Sequence, residues 1–212
     1  KTPSFAPGYP FAMAKVLDDG GALVGSIGAA IRWEVDTVGV KVISISIGRL
    51  VPVPLEPAVS PDYQAIAYAR SKGVLVVVSN GNGLADTGAT PSDGAMTGYS
   101  ESTDVIAVGA DTVWGFLNSY NPEVVSTYNV VGASSTDSTG YVSSAGTSFS
   151  TPLTAGFAAR LVAEAAANGR TLDAARLETL VKDSATDNLA YPPMTEGYGQ
   201  IDAAALTLGL AH

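Results

Sequence analysis

The sequence predicts an α/β fold, a three-layer sandwich in which a mostly parallel sheet carries helices on both faces. Short β-branched segments alternate with segments of helical period, which is typical of parallel strands joined by right-handed crossovers. Val74 to Val78 shows no polar alternation, as expected of a strand that is covered on both faces. Because ligands of such sheets bind at the carboxyl ends of the strands, we expect the site in the loops after Leu17, Ile47 and Ser79.

The individual elements are predicted from hydrophobic period. Four strands are expected, over Phe11–Leu17, Lys41–Ile47, Val74–Ser79 and Asp104–Ala110. Apolar residues recur at helical spacing over 23–35 and over 63–69, which predicts a helix in each range. The stretch from 114 to 144 is rich in Ser, Thr, Asn and Gly, and it predicts irregular strands and loops without a helix.

The last third of the chain is predicted to be helical. One helix is expected from Ser148 to Ala167, with Pro152 in its first turn and Asn168-Gly169 as its left-handed stop. A second helix is expected over about Leu172–Lys182, with Thr171 as its cap, and a third after Asp202.

Composition limits the classes of function. A chain of 212 residues with 46% hydrophobic residues is expected to form one domain over 1–212. Its net charge of -9 makes nucleic acid and anionic membrane surfaces poor partners, and no apolar run approaches the length of a spanning helix. Zero cysteines exclude disulfides and thiol catalysis. Because the chain starts at Lys1 without a leader, we expect a processed or cut product with upstream sequence missing.

One serine stands where a loop of small residues enters a long predicted helix. The segment is Gly146-Thr147-Ser148-Phe149-Ser150-Thr151-Pro152. First-turn amides of a helix have no partners within the helix and lie at its positive end, so an oxyanion formed beside Ser148 would meet donors there. The alternative reading is that Ser148 only caps the helix.

The longer string GTSFSTPLTAG, Gly146 to Gly156, resembles the nucleophile motif of the subtilisin-like serine proteases, the subtilases. Further segments follow in the order of that family: AKVLDDGG, VISISIG, VLVVVSNGNG with VIAVGA, and YGQIDAAAL. The resemblance extends over nearly the whole chain. It implies a subtilisin-like fold without its N-terminal elements, a serine endopeptidase activity, and, since the family is largely secreted, an extracellular location.

The resemblance also implies the roles of individual residues. Ser148 would be the nucleophile, and Asn82 would be the side-chain donor of the oxyanion hole, although Asn80-Gly81-Asn82-Gly83 also reads as an ordinary turn. Ser46, Ile47 and Gly48 resemble the strand end that pairs with an extended polypeptide substrate. Ser79, Asn80 and Gly81 resemble the wall of the primary side-chain pocket. Ordinary sheet and turn is the alternative for both segments.

The chain lacks the base that a serine nucleophile requires. Its single histidine is His212, the last residue, which is a poor candidate at a frayed end. In subtilases the order is Asp, His, Ser, which would place the His and Asp motifs upstream of Lys1. The chain alone is therefore expected to be nearly inactive, and to associate with its missing N-terminal segment or with another copy of itself.

Of three alternatives, the sedolisin-like one fails on the sequence. A sedolisin-like carboxylate base would also require an Asp at position 82 and an acid from the missing region. A non-catalytic subtilase-like binding or assembly domain is the main alternative. A serine esterase of the α/β-hydrolase type would have to use His212.

No cofactor is predicted. Asp18-Asp19-Gly20-Gly21 resembles the substrate-rim loop of the family, and its two carboxylates fall short of the six to eight oxygens that calcium takes. A structural calcium ion is possible in this family, but no residue here is assigned to it.

Overall fold

The structure, a computed structural model, describes residues 8–21, 23, 25–47, 60–82, 98–111, 122–127, 129–134, 136–187 and 197–202. Its centre is a sheet in the order β1-β2-β3-β4-β8-β7, which is parallel except for the β7–β8 pair. These strands are β1 Val42–Ile45, β2 Leu75–Ser79, β3 Val105–Asp111, β4 Val124–Thr127, β7 Ala185–Thr186 and β8 Gln200–Ile201. A separate antiparallel hairpin joins β5 Asn129–Ala133 to β6 Tyr141–Ala145.

Helices cover both faces of the sheet, which confirms the predicted α/β sandwich. They are α1 Ile27–Trp33, α2 Pro61–Ser71, α3 Thr147–Ala167 and α4 Ala174–Asp183. In β2, Val76 and Val78 join the core under α1 and α2, whereas Leu75 and Val77 join the core under α3 and α4. Side chains of a strand alternate between faces, so an unbroken apolar run is what a strand with two cores needs. Among the described residues, no helix has the length and apolarity that crossing a membrane requires.

The predicted strand over Phe11–Leu17 is wrong. Within the described residues, Leu17 forms only an isolated antiparallel bridge with Leu23, and the rest of the segment has no ladder. Phe11 and Met13 are 85% and 77% exposed. A half-buried strand must hide one face, but Phe11, Met13 and Lys15 on one face are exposed, and Val16 on the other packs on the core without strand pairing to any described residue.

The first helix begins later than predicted. Ser26 caps it by accepting a hydrogen bond from the Ala29 amide at 3.2 Å, so the regular helix starts at Ile27 and not at 23. Its end continues as a π-helical turn over Glu34–Val38, which Gly39 ends with a φ of +74°. The helix predicted over 63–69 is confirmed and is longer, as α2.

The later helices differ from prediction at their starts. α3 begins at Thr147, so Pro152 lies in its second turn and not in its first. Gly169, with a φ of +68°, confirms the predicted left-handed stop. α4 is capped by Asp173, which accepts from the Arg176 amide at 2.8 Å, and not by Thr171. The helix predicted after Asp202 lies outside the described residues.

The region 114–144 was predicted as irregular strands and loops. Its described part holds β4, β5 and most of β6, and no helix. The sequence did not indicate that β4 is an interior strand of the main sheet, because its apolar run Val124-Val125 is only two residues long.

α1 and α2 meet at a glycine, and this contact gives a stability prediction. A Cβ on Gly28 would lie 2.8 Å from the Pro61 carbonyl oxygen, and the Gly28 amide donates to Asp62 Oδ1 at 2.8 Å. We expect Gly28→Ala to lower the free energy of unfolding by about 1–3 kcal/mol, because the helices must move apart. Urea unfolding measures this. Gly25→Ala is the control, since a Cβ on Gly25 meets nothing within 4 Å; equal effects of the two variants would contradict the prediction.

A cluster of charged side chains ties α2 and α4 to the start of β4. Glu178 accepts from Arg70 and, at 2.6 Å, from Lys182, whose Nζ also donates to Glu123 at 2.7 Å. Burial raises the pKa of Glu178, but hydrogen bonds from Lys182 and Arg70 outweigh it and hold the pKa below its usual value of 4.5. Burial lowers the pKa of Lys182, and its bonds to the two glutamates raise it on balance.

The lowered pKa of Glu178 predicts how stability depends on pH. The unfolded chain binds the Glu178 proton more tightly than the folded chain does. The stabilisation that the ionised carboxylate gives is therefore complete above pH 4.5, and it is lost as the pH falls through the folded-state pKa. We expect Glu178→Gln to flatten the fall in urea midpoint on the acid side. Glu164→Gln, which breaks a pair with Arg160 within α3, is the control. If the urea midpoint of Glu178→Gln fell at acid pH as steeply as that of the unsubstituted chain, the prediction would be contradicted.

Candidate active site

The start of α3 lies at the carboxyl ends of the strands, where the sequence predicted the site. Ser46 follows β1 and donates from its hydroxyl to the Ser148 carbonyl at 2.9 Å. Asn82 follows β2 and contacts Thr147. Ser150 donates from its hydroxyl to the Thr127 carbonyl, the last residue of β4, at 2.9 Å. Three strands therefore hold the first turn of one helix.

Ser148 is the second residue of α3 and is half-buried. The cap position belongs to Gly146, which makes no side-chain cap bond. The Ser148 hydroxyl donates to the Ser46 carbonyl at a long 3.4 Å. The alternative that Ser148 merely caps the helix is therefore wrong, because its hydroxyl points to the neighbouring strand end and not to a first-turn amide.

The side chain of Asn82 lies against the residue that precedes Ser148. Its Oδ1 accepts from the Thr147 amide at 2.9 Å and from the Thr147 hydroxyl at 3.0 Å. An amide N–H can only donate, so this contact identifies the carboxamide oxygen and turns the Nδ2 donor away from Thr147. The structure thus brings Asn82 and Ser148 to the same helix entrance, as the sequence predicted.

Two glycines allow this close approach. Gly146 has a φ of +126°, and a Cβ there would lie 3.2 Å from Asn82 Oδ1. Gly81 has a φ of +99° and lies between the end of β2 and Asn82. Both positions lie in the left-handed region, where a side chain is strained. The reading of Asn80-Gly81-Asn82-Gly83 as an ordinary turn stays a prediction, because residues 80–82 form no turn among the described residues and Gly83 lies outside them.

The helix entrance offers donors for an anion. Four residues before Ser148 is Ser144, in β6, so the Ser148 amide has no partner within α3. The first turn of α3 contains no acidic residue that would compete for its positive end. The Ser148 amide is therefore a donor that the helix itself leaves unused, and the Asn82 carboxamide is bonded to the residue before it.

The remaining predicted residues lie nearby with different exposure. Ser46 and Ile47 are half-buried at the end of β1, and Gly81 is buried. Ser79 and Asn80 are 3% and 0% exposed, so a substrate contacts their side chains only if the chain that covers them moves. Their role in the pocket stays a prediction. Gly48 lies outside the described residues.

Buried hydroxyls on α3 are functional candidates that the sequence analysis missed. Thr147, Ser150, Thr151 and Thr154 are at most 1% exposed. Thr147 orients Asn82, and Ser150 also contacts the Ser126 carbonyl at 3.4 Å. The signal was available, because these hydroxyls recur three and four residues apart, a spacing that places them on one helix face.

Neither a base nor a metal centre is found at this entrance in the described part of the chain. Within the described residues, the Ser148 hydroxyl donates to the Ser46 carbonyl, and a carbonyl does not take up a proton at neutral pH. His212 lies outside them. Nor do they contain a group of three or more His, Cys, Asp or Glu side chains that could hold a metal ion. Asp18 accepts from the Gly20 amide at 2.9 Å, and Asp19 pairs with Lys15.

The subtilase family model matches residues 4–200 of the chain, which therefore belongs to the subtilase family, a family of serine proteases. No curated protein matches the sequence significantly.

Solved structures with the same fold include maturation proteases. The protease domain of PatA, as its S218A mutant, is 21% identical with a TM-score of 0.75, over 92% of this chain and 69% of that one. The prenylagaramide maturation protease PagA is 22% identical with a TM-score of 0.74, over 91% and 70%. The PatG macrocyclase in complex with peptide is 20% identical with a TM-score of 0.71, over 85% and 55%. At these identities the likeness shows the fold.

Proposed function

We propose that this chain is the nucleophile-bearing part of a serine endopeptidase, in which Ser148 forms an acyl-enzyme and Asn82 completes the oxyanion hole. One observation carries the proposal. The Asn82 oxygen accepts from the Thr147 amide at 2.9 Å, which holds the carboxamide against the residue that precedes Ser148 and supports the proposed role of its amide as an oxyanion donor. Family membership supplies the reaction class.

The proposed reaction has two acyl-transfer steps. The Ser148 oxygen attacks the carbonyl carbon of a peptide bond while a base takes the hydroxyl proton. The Ser148 N–H and Asn82 Nδ2 hold the oxygen of the tetrahedral adduct, which collapses as the C–N bond breaks and the base returns its proton to the leaving amine. Water then attacks the acyl-enzyme by the same path and releases the acid.

The base must come from outside this chain's first 211 residues, since they contain no histidine. We propose that an imidazole is supplied by sequence encoded upstream of Lys1, and that the chain associates with this segment or with another copy of itself. This chain covers 69% of the PatA structure and 70% of the PagA structure. The uncovered part of each is long enough to contain a histidine.

A polypeptide substrate is proposed to lie along the end of β1. Among the described strands, β1 pairs only with β2, and Ser46, the residue after it, is bonded to Ser148. An extended peptide that pairs with this strand end gains main-chain hydrogen bonds. Main-chain pairing depends little on side chains, which favours broad specificity. An extracellular location is proposed from the family alone.

A fluorophosphonate probe tests the proposal. We call the chain together with the segment that supplies the imidazole the complemented protein. Intact mass and peptide mapping are expected to find one adduct on Ser148 in the complemented protein and much slower labelling of the chain alone, because the hydroxyl lacks a base. Equal labelling of both forms, or an adduct on another residue, would contradict the proposal.

A non-catalytic binding domain of the subtilase fold is the second candidate. It is favoured by one contact, since the Ser148 hydroxyl is bonded to a carbonyl in the described residues and not to a base. The two candidates differ in a simple way. The binding domain would retain peptide affinity after Ser148→Ala and would never accumulate a covalent adduct.

A further inference from the structure

Pro152 leaves one carbonyl of α3 without its regular helical donor. In an α-helix, the carbonyl of residue i accepts from the amide of residue i+4. For Ser148 that residue is Pro152, which has no N–H and whose ring crowds the same carbonyl. Because Pro152 lies in the second turn, its missing amide is one that a regular helix would use.

Ser46 supplies a donor to this carbonyl. Its hydroxyl donates to the Ser148 carbonyl oxygen at 2.9 Å, across 102 residues of sequence. In return, the Ser148 hydroxyl donates to the Ser46 carbonyl at 3.4 Å. The two serines thus form a reciprocal pair of side-chain to backbone bonds, which joins the end of β1 to the first turn of α3.

We infer that Ser46 is a positioning residue for the nucleophile, and that its hydroxyl replaces the helical amide that Pro152 cannot supply. The inference rests on the proposed function, since it concerns how Ser148 is held for reaction. Ser46 acts through the Ser148 carbonyl, which shares its Cα with both the attacking side chain and the Ser148 N–H, the proposed oxyanion donor. A shift of this residue moves both at once.

The contact differs from an ordinary structural bond in where it acts. Other side chains hold the same turn through Thr147 and Ser150, so loss of the Ser46 hydroxyl leaves α3 attached to β2 and β4. What is lost is the restraint on the Ser148 carbonyl, which becomes a half-buried acceptor crowded by a proline ring. We therefore expect a small loss of stability and a larger loss of reactivity.

A double-substitution cycle tests the inference. Ser46→Ala removes the donor and leaves the Ser46 carbonyl in place, whereas Pro152→Ala restores a helical amide to the Ser148 carbonyl. In the complemented protein, Ser46→Ala is expected to slow the maximal rate of fluorophosphonate labelling by roughly tenfold, within the hundredfold that a small misplacement can cost, at an unchanged half-saturating probe concentration. In a protein that already carries Pro152→Ala, Ser46→Ala is expected to slow labelling much less. Ser46→Thr, which keeps a hydroxyl donor, is expected to retain most of the labelling rate.

The melting temperature of the chain alone gives a readout that needs no activity. Ser46→Ala is expected to lower it less in the Pro152→Ala background than in the original one. Ser184→Ala is the matched control, because its buried hydroxyl donates to the Val181 carbonyl of another helix, and its effect is expected to be the same in both backgrounds.

The outcomes separate this inference from the proposed function. If the complemented protein is labelled, but Ser46→Ala slows labelling equally in the original and in the Pro152→Ala background, the inference is overturned and the protease proposal stands. A labelling rate that is unchanged by Ser46→Ala also overturns it. No labelling of the unsubstituted complemented protein would overturn the proposed function, and the inference with it.

Discussion

Ser148→Ala is expected to abolish peptide hydrolysis by the complemented protein. In subtilisin, another member of this family, loss of the nucleophile costs about 10⁶ in kcat, and we expect a loss of that order here. The substitution removes the attacking oxygen and keeps the Ser148 amide, so the oxyanion site stays in place. The measurement is steady-state cleavage of an unstructured peptide.

The fold should tolerate this change. Ser148 is half-buried, and the bond that its hydroxyl makes within the described residues is a long one of 3.4 Å to the Ser46 carbonyl, so the urea midpoint is expected to move little. Phe149→Ala, one residue further along and 36% exposed at the side chain, serves as a control for disturbance of the same turn. Residual activity of Ser148→Ala above one per cent of the unsubstituted rate, a bound of about 3 kcal/mol in barrier, would exclude Ser148 as the nucleophile.

Asn82→Asp is expected to give the second largest effect. The carboxylate keeps an oxygen that accepts from the Thr147 amide and hydroxyl, so the link between β2 and α3 is retained. The Nδ2 donor is replaced by an oxygen with negative charge, which repels a developing oxyanion. In subtilisin, loss of the corresponding donor costs about 10² to 10³ in kcat. We expect a loss of at least that size, with KM little changed.

Asn82→Ala separates the two functions of this side chain. It removes the donor and also the acceptor for Thr147, so it is expected to lower both kcat and the urea midpoint, whereas Asn82→Asp lowers chiefly kcat. A buried amide that loses its acceptor costs about 1–3 kcal/mol. If Asn82→Asp retained full kcat, Asn82 would have only a structural role in joining β2 to α3.

The sequence was most informative where one physical requirement dominates. The apolar run in β2 predicted a strand between two cores, and the small residues before Ser148 predicted the tight entrance to α3. The convergence of Asn82 and Ser148 also followed, since each belongs to an element whose end faces the same edge of the sheet.

Other features could not be read from local pattern. Phe11–Leu17 has strand-like residues, but whether a strand forms depends on a neighbour, and that is a tertiary property. The Ser46 contact with Ser148 joins residues 102 positions apart, and neither serine is unusual in its local context. Pro152 deprives the Ser148 carbonyl of its helical donor whether the helix starts at residue 147 or at residue 148, but the replacement donor on Ser46 depends on tertiary packing.

The central claim is that the Ser148 oxygen and the Asn82 amide share one reaction site. A crystal structure of the complemented protein after reaction with a fluorophosphonate tests it most directly. We expect a phosphorus bonded to Ser148 Oγ, with one phosphonyl oxygen about 2.7–3.1 Å from both the Ser148 nitrogen and Asn82 Nδ2. An adduct whose phosphonyl oxygens all point away from Asn82, or one attached to a different side chain, would contradict it.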